Sequence, residues 1–475
     1  MFGTSLAYSP DGRWLAFLAS RKSPEAPHES PMHAIEAHED WVPAQRQFRP
    51  RIYQLYLLEM RTGRVSAMTG DGVSVASFDW SPDSTQLALS IETDPNVSSS
   101  YMTTDLHVLD AATGALRTLV TQPGMDEHPR WSPDGKLIAF SSQRGQEDWT
   151  YATTLGVVAA DGSAPARYVR QVLDTIGGSI VPVRWSLDGN SVDVRTFHDL
   201  SRHIFRVKIS EGTVSRLTPR RDRHYSDFSY SQDGRRLAFV AEGTVVPPDI
   251  HVADANASEM QPLRLTECNP QWSQLQVPTL QRVMWRSSDG RWDLNGLLLK
   301  PSTAAAQPLP LLTHIEGGPS MVRQELNGGF LYPLLVLAEQ GYAIFIPNTR
   351  GRAGYGMDFM HAIRDERSYV LNPISDVLSG IDWLVKNGIA DPDRLGVLGF
   401  SYGGTLTSYL VTSTDRFRAA IYGEGAPNVL HYLITYGRKE FLGLGRDLWG
   451  GAEILSSLPR SVVQSSNLRC SALIG

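Results

Sequence analysis

Cysteine is almost missing from this chain: 475 residues hold two, Cys268 and Cys470, far apart in sequence. Two such residues cannot build the disulfide framework of a small secreted domain, so a reducing compartment is expected. No run approaches the roughly 18 consecutive apolar residues that a membrane-spanning helix requires. The opening stretch, MFGTSLAYSPDGRWLAF, has neither the basic start nor the long apolar core of an export signal. An excess of positive charge is missing too. The net charge of −6 offers no attraction to nucleic acid or to an anionic membrane. The expectation is a cytoplasmic protein with neither of these as partner. Metal-ligand spacing is also lacking, because His28, His33 and His38 fall five apart and would be spread around a helix. Nothing in the sequence requires a metal or a cofactor.

What is present is a repeat. Tyr8-Ser9-Pro10-Asp11-Gly12 returns as Trp80-Ser81-Pro82-Asp83-Ser84, Trp131-Ser132-Pro133-Asp134-Gly135, Trp185-Ser186-Leu187-Asp188-Gly189 and Tyr230-Ser231-Gln232-Asp233-Gly234. An apolar strand follows each copy, weakest after the fourth at Ser191–Val194. Ser-Pro-Asp-Gly is hairpin chemistry: proline presets φ, aspartate bonds its own backbone, and glycine accepts a positive φ. A second hairpin completes each unit, as at Asp105–Ala112 and Leu116–Val120. Four strands per unit, at a spacing of roughly 40–50 residues, is the signature of propeller blades. We therefore expect a β-propeller of about five to six blades over residues 1–278, with a partial sixth unit around Asn269–Ser273. The aromatic ahead of each Ser-x-Asp is expected to pack between neighbouring blades. Residues 21–50 carry five prolines and interrupt the first unit. They are expected to form a loop able to reach a substrate.

Beyond Val277–Thr279 the pattern changes. Gln281–Arg286 and Leu294–Lys300 read as a hairpin. Strand-like Leu309–Ile315, Tyr342–Ile346, Arg394–Phe400, Phe417–Ile421 and Leu468–Ile474 then alternate with helical Leu331–Gln340, Ile374–Asn387 and Gly403–Ser413. That alternation predicts a largely parallel sheet covered on both faces. Within it, Leu395–Leu410 reads LGVLGFSYGGTLTSYL, a G-x-S-x-G pentad between a strand and a helix. Such a pentad is a nucleophile elbow, which would lift the Ser401 hydroxyl above the carboxyl edge of the sheet. The Tyr402 N–H and the helix N-terminus beneath it suit a developing oxyanion. Residues 279–475 are thus expected to form an α/β-hydrolase domain.

The order of further motifs resembles the prolyl oligopeptidase family of serine peptidases, in its acylaminoacyl-peptidase and dipeptidyl-peptidase branches. These motifs are Glu316-Gly317-Gly318-Pro319, Arg350-Gly351-Arg352-Ala353-Gly354-Tyr355-Gly356, the Ser401 pentad, and Thr414-Asp415-Arg416-Phe417. The resemblance implies hydrolysis of short peptides through an acyl-enzyme on Ser401, with the propeller limiting access. It implies Tyr402 N–H as one oxyanion donor. The second would come from the Tyr355 hydroxyl or from the backbone at Gly317 or Gly318. The chain departs from the family where Glu316 replaces the histidine of the His-Gly-Gly-Pro loop, with His314 two residues earlier.

A serine also needs a base and an orienting carboxylate, in the chain order Ser, Asp, His. After Ser401 the sequence offers Asp415, Glu424, Glu440, Asp447, Glu453 and a single histidine, His431. The resemblance places Asp415 on the surface and puts the triad aspartate just after a strand of the Leu468–Gly475 type, with the histidine later still. The domain is therefore expected to be C-terminally incomplete, without its triad Asp and His. An esterase of the same fold, or a propeller binding module with an inactive hydrolase domain, are the alternatives.

Overall fold

A computed structural model describes residues 6–20, 52–70, 72–92, 104–146, 148, 150–169, 176, 178–219, 223–257, 260–303, 308–320, 322, 333–364, 366–425 and 469–470. The chain divides into two compact units, residues 1–148 with 155–168, and residues 149–154 with 169–475. Five four-stranded antiparallel meanders are the blades of a β-propeller. The first unit holds three, running over 6–67, 74–120 and 126–168. The second unit holds two, over 181–216 and 224–264. The stretch expected to begin a sixth unit is instead a short 3₁₀ turn, Pro270–Gln274. Its proline opens the turn and leaves no strand to pair. The interrupting loop at 21–50 lies outside the described residues.

The repeat closes on itself through local hydrogen bonds. In all five copies the serine hydroxyl donates to the aspartate two residues on, at 2.5–2.7 Å. The same carboxylate accepts a backbone N–H two residues further. The serine oxygen accepts the N–H five positions ahead, where the next strand begins. The serine hydroxyls hold these carboxyls below the usual range, Asp188 at about 2. The aromatics do bridge blades. Trp80 Nε1 donates to the Ala7 carbonyl at 3.3 Å, and the Tyr230 hydroxyl to Asp193 at 2.8 Å. Tyr8 is exposed.

Burial inside the first unit has an electrostatic cost. Glu127 is pushed up to about 8 by burial first and then by the neighbouring Glu92 and Asp126 carboxylates. Burial also raises Asp126 and Glu92 to about 7. His128 Nε2 stands 3.6 Å from Glu127 Oε2. A carboxyl whose folded pKa lies above its unfolded value favours the folded state below about pH 4, and that contribution fades as pH rises through 7–8. Each pH unit costs about 1.4 kcal/mol per group, less for Glu127, whose side chain keeps 16% of its surface exposed. Glu127→Gln should therefore raise the thermal midpoint at pH 8 and leave it nearly unchanged at pH 4. Equal midpoint shifts in calorimetry at the two pH values would contradict this account.

The second unit also contains a seven-stranded sheet. Its strands are β1 (Thr279–Arg286), β2 (Asp293–Lys300), β3 (Leu309–Ile315), β4 (Ala343–Asn348), β5 (Ala390–Phe400), β6 (Phe417–Gly423) and β7 (Arg469–Cys470). Their spatial order is β1-β2-β4-β3-β5-β6-β7, antiparallel at the β1 end and parallel from β4 onward. Helices α1 (Leu334–Glu339), α2 (Met357–His361), α3 (Glu366–Lys386) and α4 (Tyr402–Ser413) connect them. This is the α/β-hydrolase arrangement.

Alternation along the strands sorts the core into two faces. Leu294, Leu298, Ala343 and Phe345 pack with a helical stripe on α3, Val370, Ile374, Val377, Ile381 and Leu384. Leu297, Leu299, Ile344 and Ile346 face the other way, toward Leu334 and Ala338 of α1. The turn joining β1 to β2 repeats the blade chemistry, with Ser287 donating to Asp289 at 2.6 Å.

Candidate active site

Strand β5 lies between β3 and β6, paired in parallel with both, so its carboxyl end is the middle of the sheet's functional edge. Ser401 follows at once, with φ 55° and ψ −121°. A non-glycine residue with such dihedrals is held there by its surroundings at a cost of about 1–3 kcal/mol. Two backbone bonds fix it: Ser401 N–H donates to the Gly423 carbonyl, and Thr405 N–H to the Ser401 carbonyl, both at 2.9 Å. The residue is exposed and caps α4.

The glycines of the pentad follow from close packing. A Cβ on Gly403 would lie 2.0 Å from the Ile315 carbonyl oxygen, and one on Gly399 would lie 2.4 Å from the Gly403 carbonyl oxygen. Helix α4 therefore starts directly against the end of β3. The loop that leaves β3 crosses the elbow. A Cβ on Gly317 would sit 3.0 Å from the Phe400 carbonyl oxygen and 3.4 Å from Ser401 Cβ. Ser401 and Gly317, two of the candidates, are thus neighbours.

The loop is clamped from below by a residue that sequence reasoning passed over. Arg352 is 1% exposed and donates to the carbonyls of Glu316 at 2.7 Å, of Gly317 at 3.0 Å and of Gly318. Burial pulls its guanidinium below the ordinary arginine value, opposed by the Tyr402 hydroxyl and the Glu316 carboxylate. Glu316 is itself buried, with Oε1 3.5 Å from His314 Nδ1. A carboxylate beside an oxyanion site would oppose catalysis, but the charge of this one acts on the buried Arg352 guanidinium and raises its value. The signal was in the sequence: an acid at 316 and an arginine at 352, both inside glycine motifs.

Tyr402 is 5% exposed and stacks at a tilt on Tyr369, ring centroids 4.8 Å apart. Its hydroxyl donates to the Tyr369 carbonyl. That carbonyl is the one Pro373 leaves without a helical donor, since proline lacks the N–H that would reach back four residues. The side chain thus anchors the elbow to α3 and leaves only the backbone of Tyr402 for chemistry. Tyr355 is placed differently. Its hydroxyl donates to Asn295 Oδ1 of β2 at 2.7 Å, its ring lies against Phe359, and burial pushes the phenol well above its ordinary value. The adjoining Gly354 carbonyl accepts the Asp199 N–H from a hairpin of the fourth blade at 2.9 Å.

Asp415 and Glu424 are exposed. His431, Glu440, Asp447 and Glu453 lie outside the described residues. Among the described residues no group of three or more His, Cys, Asp and Glu could hold a metal ion, and no helix is long and apolar enough to cross a membrane.

Comparison with known proteins agrees with this geometry. Residues 330–460 match the model of the prolyl oligopeptidase family. A dipeptidyl-peptidase 5 from Porphyromonas gingivalis is 25% identical over 374 residues, which cover 76% of this chain and 52% of that protein. An acylamino-acid-releasing enzyme from Arabidopsis thaliana is 27% identical over 338 residues, 62% of this chain and 42% of its own length. The chain thus spans about half the length of such curated relatives. Among solved structures, the acylaminoacyl peptidase of Pyrococcus horikoshii superposes with a TM-score of 0.72 at 19% identity, covering 94% of this chain and 67% of that one. This last likeness concerns the fold.

Proposed function

We propose that the chain is a serine-type peptidase of the prolyl oligopeptidase family, on the match of residues 330–460 and the likeness to named peptidases, and that Ser401 is the nucleophile that cleaves short peptides through an acyl-enzyme. The observation that carries the reading is the strained backbone of Ser401 at the β5–α4 junction, with the Gly317 loop against it. In the first step Ser401 Oγ bonds to the scissile carbonyl carbon and gives its proton to a general base, a role assigned to none of the described residues. The carbonyl oxygen becomes an oxyanion, and the C–N bond breaks as the amine leaves with that proton. Water then hydrolyses the ester. The Tyr402 N–H, at the start of α4, is one oxyanion donor. The Gly317 and Gly318 N–H groups are better placed than Tyr355 for the second, because the Tyr355 hydroxyl is committed to Asn295.

The relatives' names point to dipeptidyl-peptidase activity or to release of an acylamino acid, and we extend that substrate class to this chain, with the propeller restricting entry to short chains. A fluorophosphonate probe tests the reading. Labelling on the Ser401 peptide by mass spectrometry, lost in Ser401→Ala, would show that a base reaches the serine and would exclude the binding-module alternative. Absence of label even when a triad Asp and His are supplied would favour that alternative. Ester hydrolysis without cleavage of dipeptidyl- or acylaminoacyl-p-nitroanilides would favour the esterase.

A further inference from the structure

We infer that Arg352 is the positioning residue of the oxyanion site, with Glu316 as its buried counter-charge; this rests on Ser401 being the nucleophile. One guanidinium gathers three successive carbonyls, those of Glu316, Gly317 and Gly318. Among the described residues no peptide bond is cis. In a planar trans peptide the C=O and the following N–H point in opposite directions. Turning the Glu316 and Gly317 carbonyls onto Arg352 therefore turns the N–H groups of Gly317 and Gly318 away from it. Arg352 is buried and Ser401 is exposed, so away from the guanidinium is toward the face that carries the serine. The third carbonyl belongs to the peptide of Pro319, which has no N–H, so the loop presents two donors.

The residue type matters. Arginine offers five N–H groups in one rigid plane, enough for three acceptors, whereas a lysine ammonium is a point charge without that fork. A fixed cation behind the two peptides also polarises their N–H groups toward negative charge that forms only in the transition state. Glu316 meets the need of a buried cation for a neighbour of opposite sign. It bears that charge where the family's histidine would stand, so the acid at 316 and the arginine at 352 form one device.

The test uses the 475-residue chain with Arg352→Met and Arg352→Lys. Each is titrated with the fluorophosphonate and assayed on a p-nitrophenyl ester and on an acylaminoacyl-p-nitroanilide. Losing a well-aimed donor costs about 10²–10³ in kcat. We expect Arg352→Met to lose that much in kcat per titrated serine, with KM changed less than about threefold. Arg352→Lys should recover only part, and ethylguanidinium should partly restore Arg352→Ala. A residue that merely supports the fold would lower the fraction titrated and the melting midpoint without changing kcat per site. Wild-type kcat per site in Arg352→Met would overturn the inference and leave Ser401 standing. Equal labelling of Ser401→Ala would overturn the nucleophile and this inference with it.

Discussion

Gly403→Ala is expected to disable both folding and labelling of Ser401, although it adds one methyl group. The new carbon would lie 2.0 Å from the Ile315 carbonyl oxygen and 2.8 Å from its carbonyl carbon. Both are backbone atoms of β3, a strand paired on both sides, so no side chain can swing aside. Either the start of α4 lifts away or the end of β3 bends. The first displaces the Tyr402 N–H, and the second moves the Glu316–Gly318 loop off Arg352. We expect a loss above about 4 kcal/mol, in the range reserved for exceptional steric conflicts. Any folded fraction should label at least ~10³-fold more slowly, as two oxyanion donors move together. Gly388→Ala is the control. It has φ +67° with open space around a Cβ, so only the left-handed backbone is penalised, by about 1–2 kcal/mol. Urea unfolding that ranks the two variants equally would refute the close-packing explanation of the pentad.

The pentad was legible because its glycines answer a steric demand that any strand–elbow–helix must meet. The blade turns were legible for a similar reason: Ser, Asp and the next strand's N–H close a circuit within about six residues. Elements whose logic is long-range were harder to read. Helix α3 begins at Glu366, eight residues before the expected start at Ile374, because Pro373 reads as a helix stop. The missing hydrogen bond is made good by the Tyr402 hydroxyl, far along the chain, and no local pattern announces that. Arg352 was hidden inside a motif read for Tyr355. Its three acceptors lie more than thirty residues upstream.

The other large effect should come from the partner of Arg350, two residues before the clamp. Asp376 on α3 is fully buried and receives the Arg350 Nε at 3.0 Å, Nη2 at 2.6 Å and backbone N–H at 2.9 Å. Arg350 Nη1 reaches the half-exposed Asp289 at 2.8 Å. Burial pushes the Asp376 carboxyl up, and Arg350 draws it back down. Removing one member of such a pair leaves an uncompensated buried charge, which costs about 3–5 kcal/mol. Asp376→Ala is expected to lose that much in urea unfolding. Asp289→Ala should lose far less, since its bond is partly solvated and the Asp376 bonds remain. Replacing both partners, Arg350→Met with Asp376→Leu, should recover most of the stability, because the apolar pair needs no desolvation of charge. Arg350 and Arg352 leave β4 on the same short segment. If the clamp on the oxyanion loop depends on that segment, Asp376→Ala should also slow Ser401 labelling, and the double replacement should restore it in step with stability. Full labelling in an unstable Asp376→Ala chain would mean that Arg352 holds the loop without help from its neighbour.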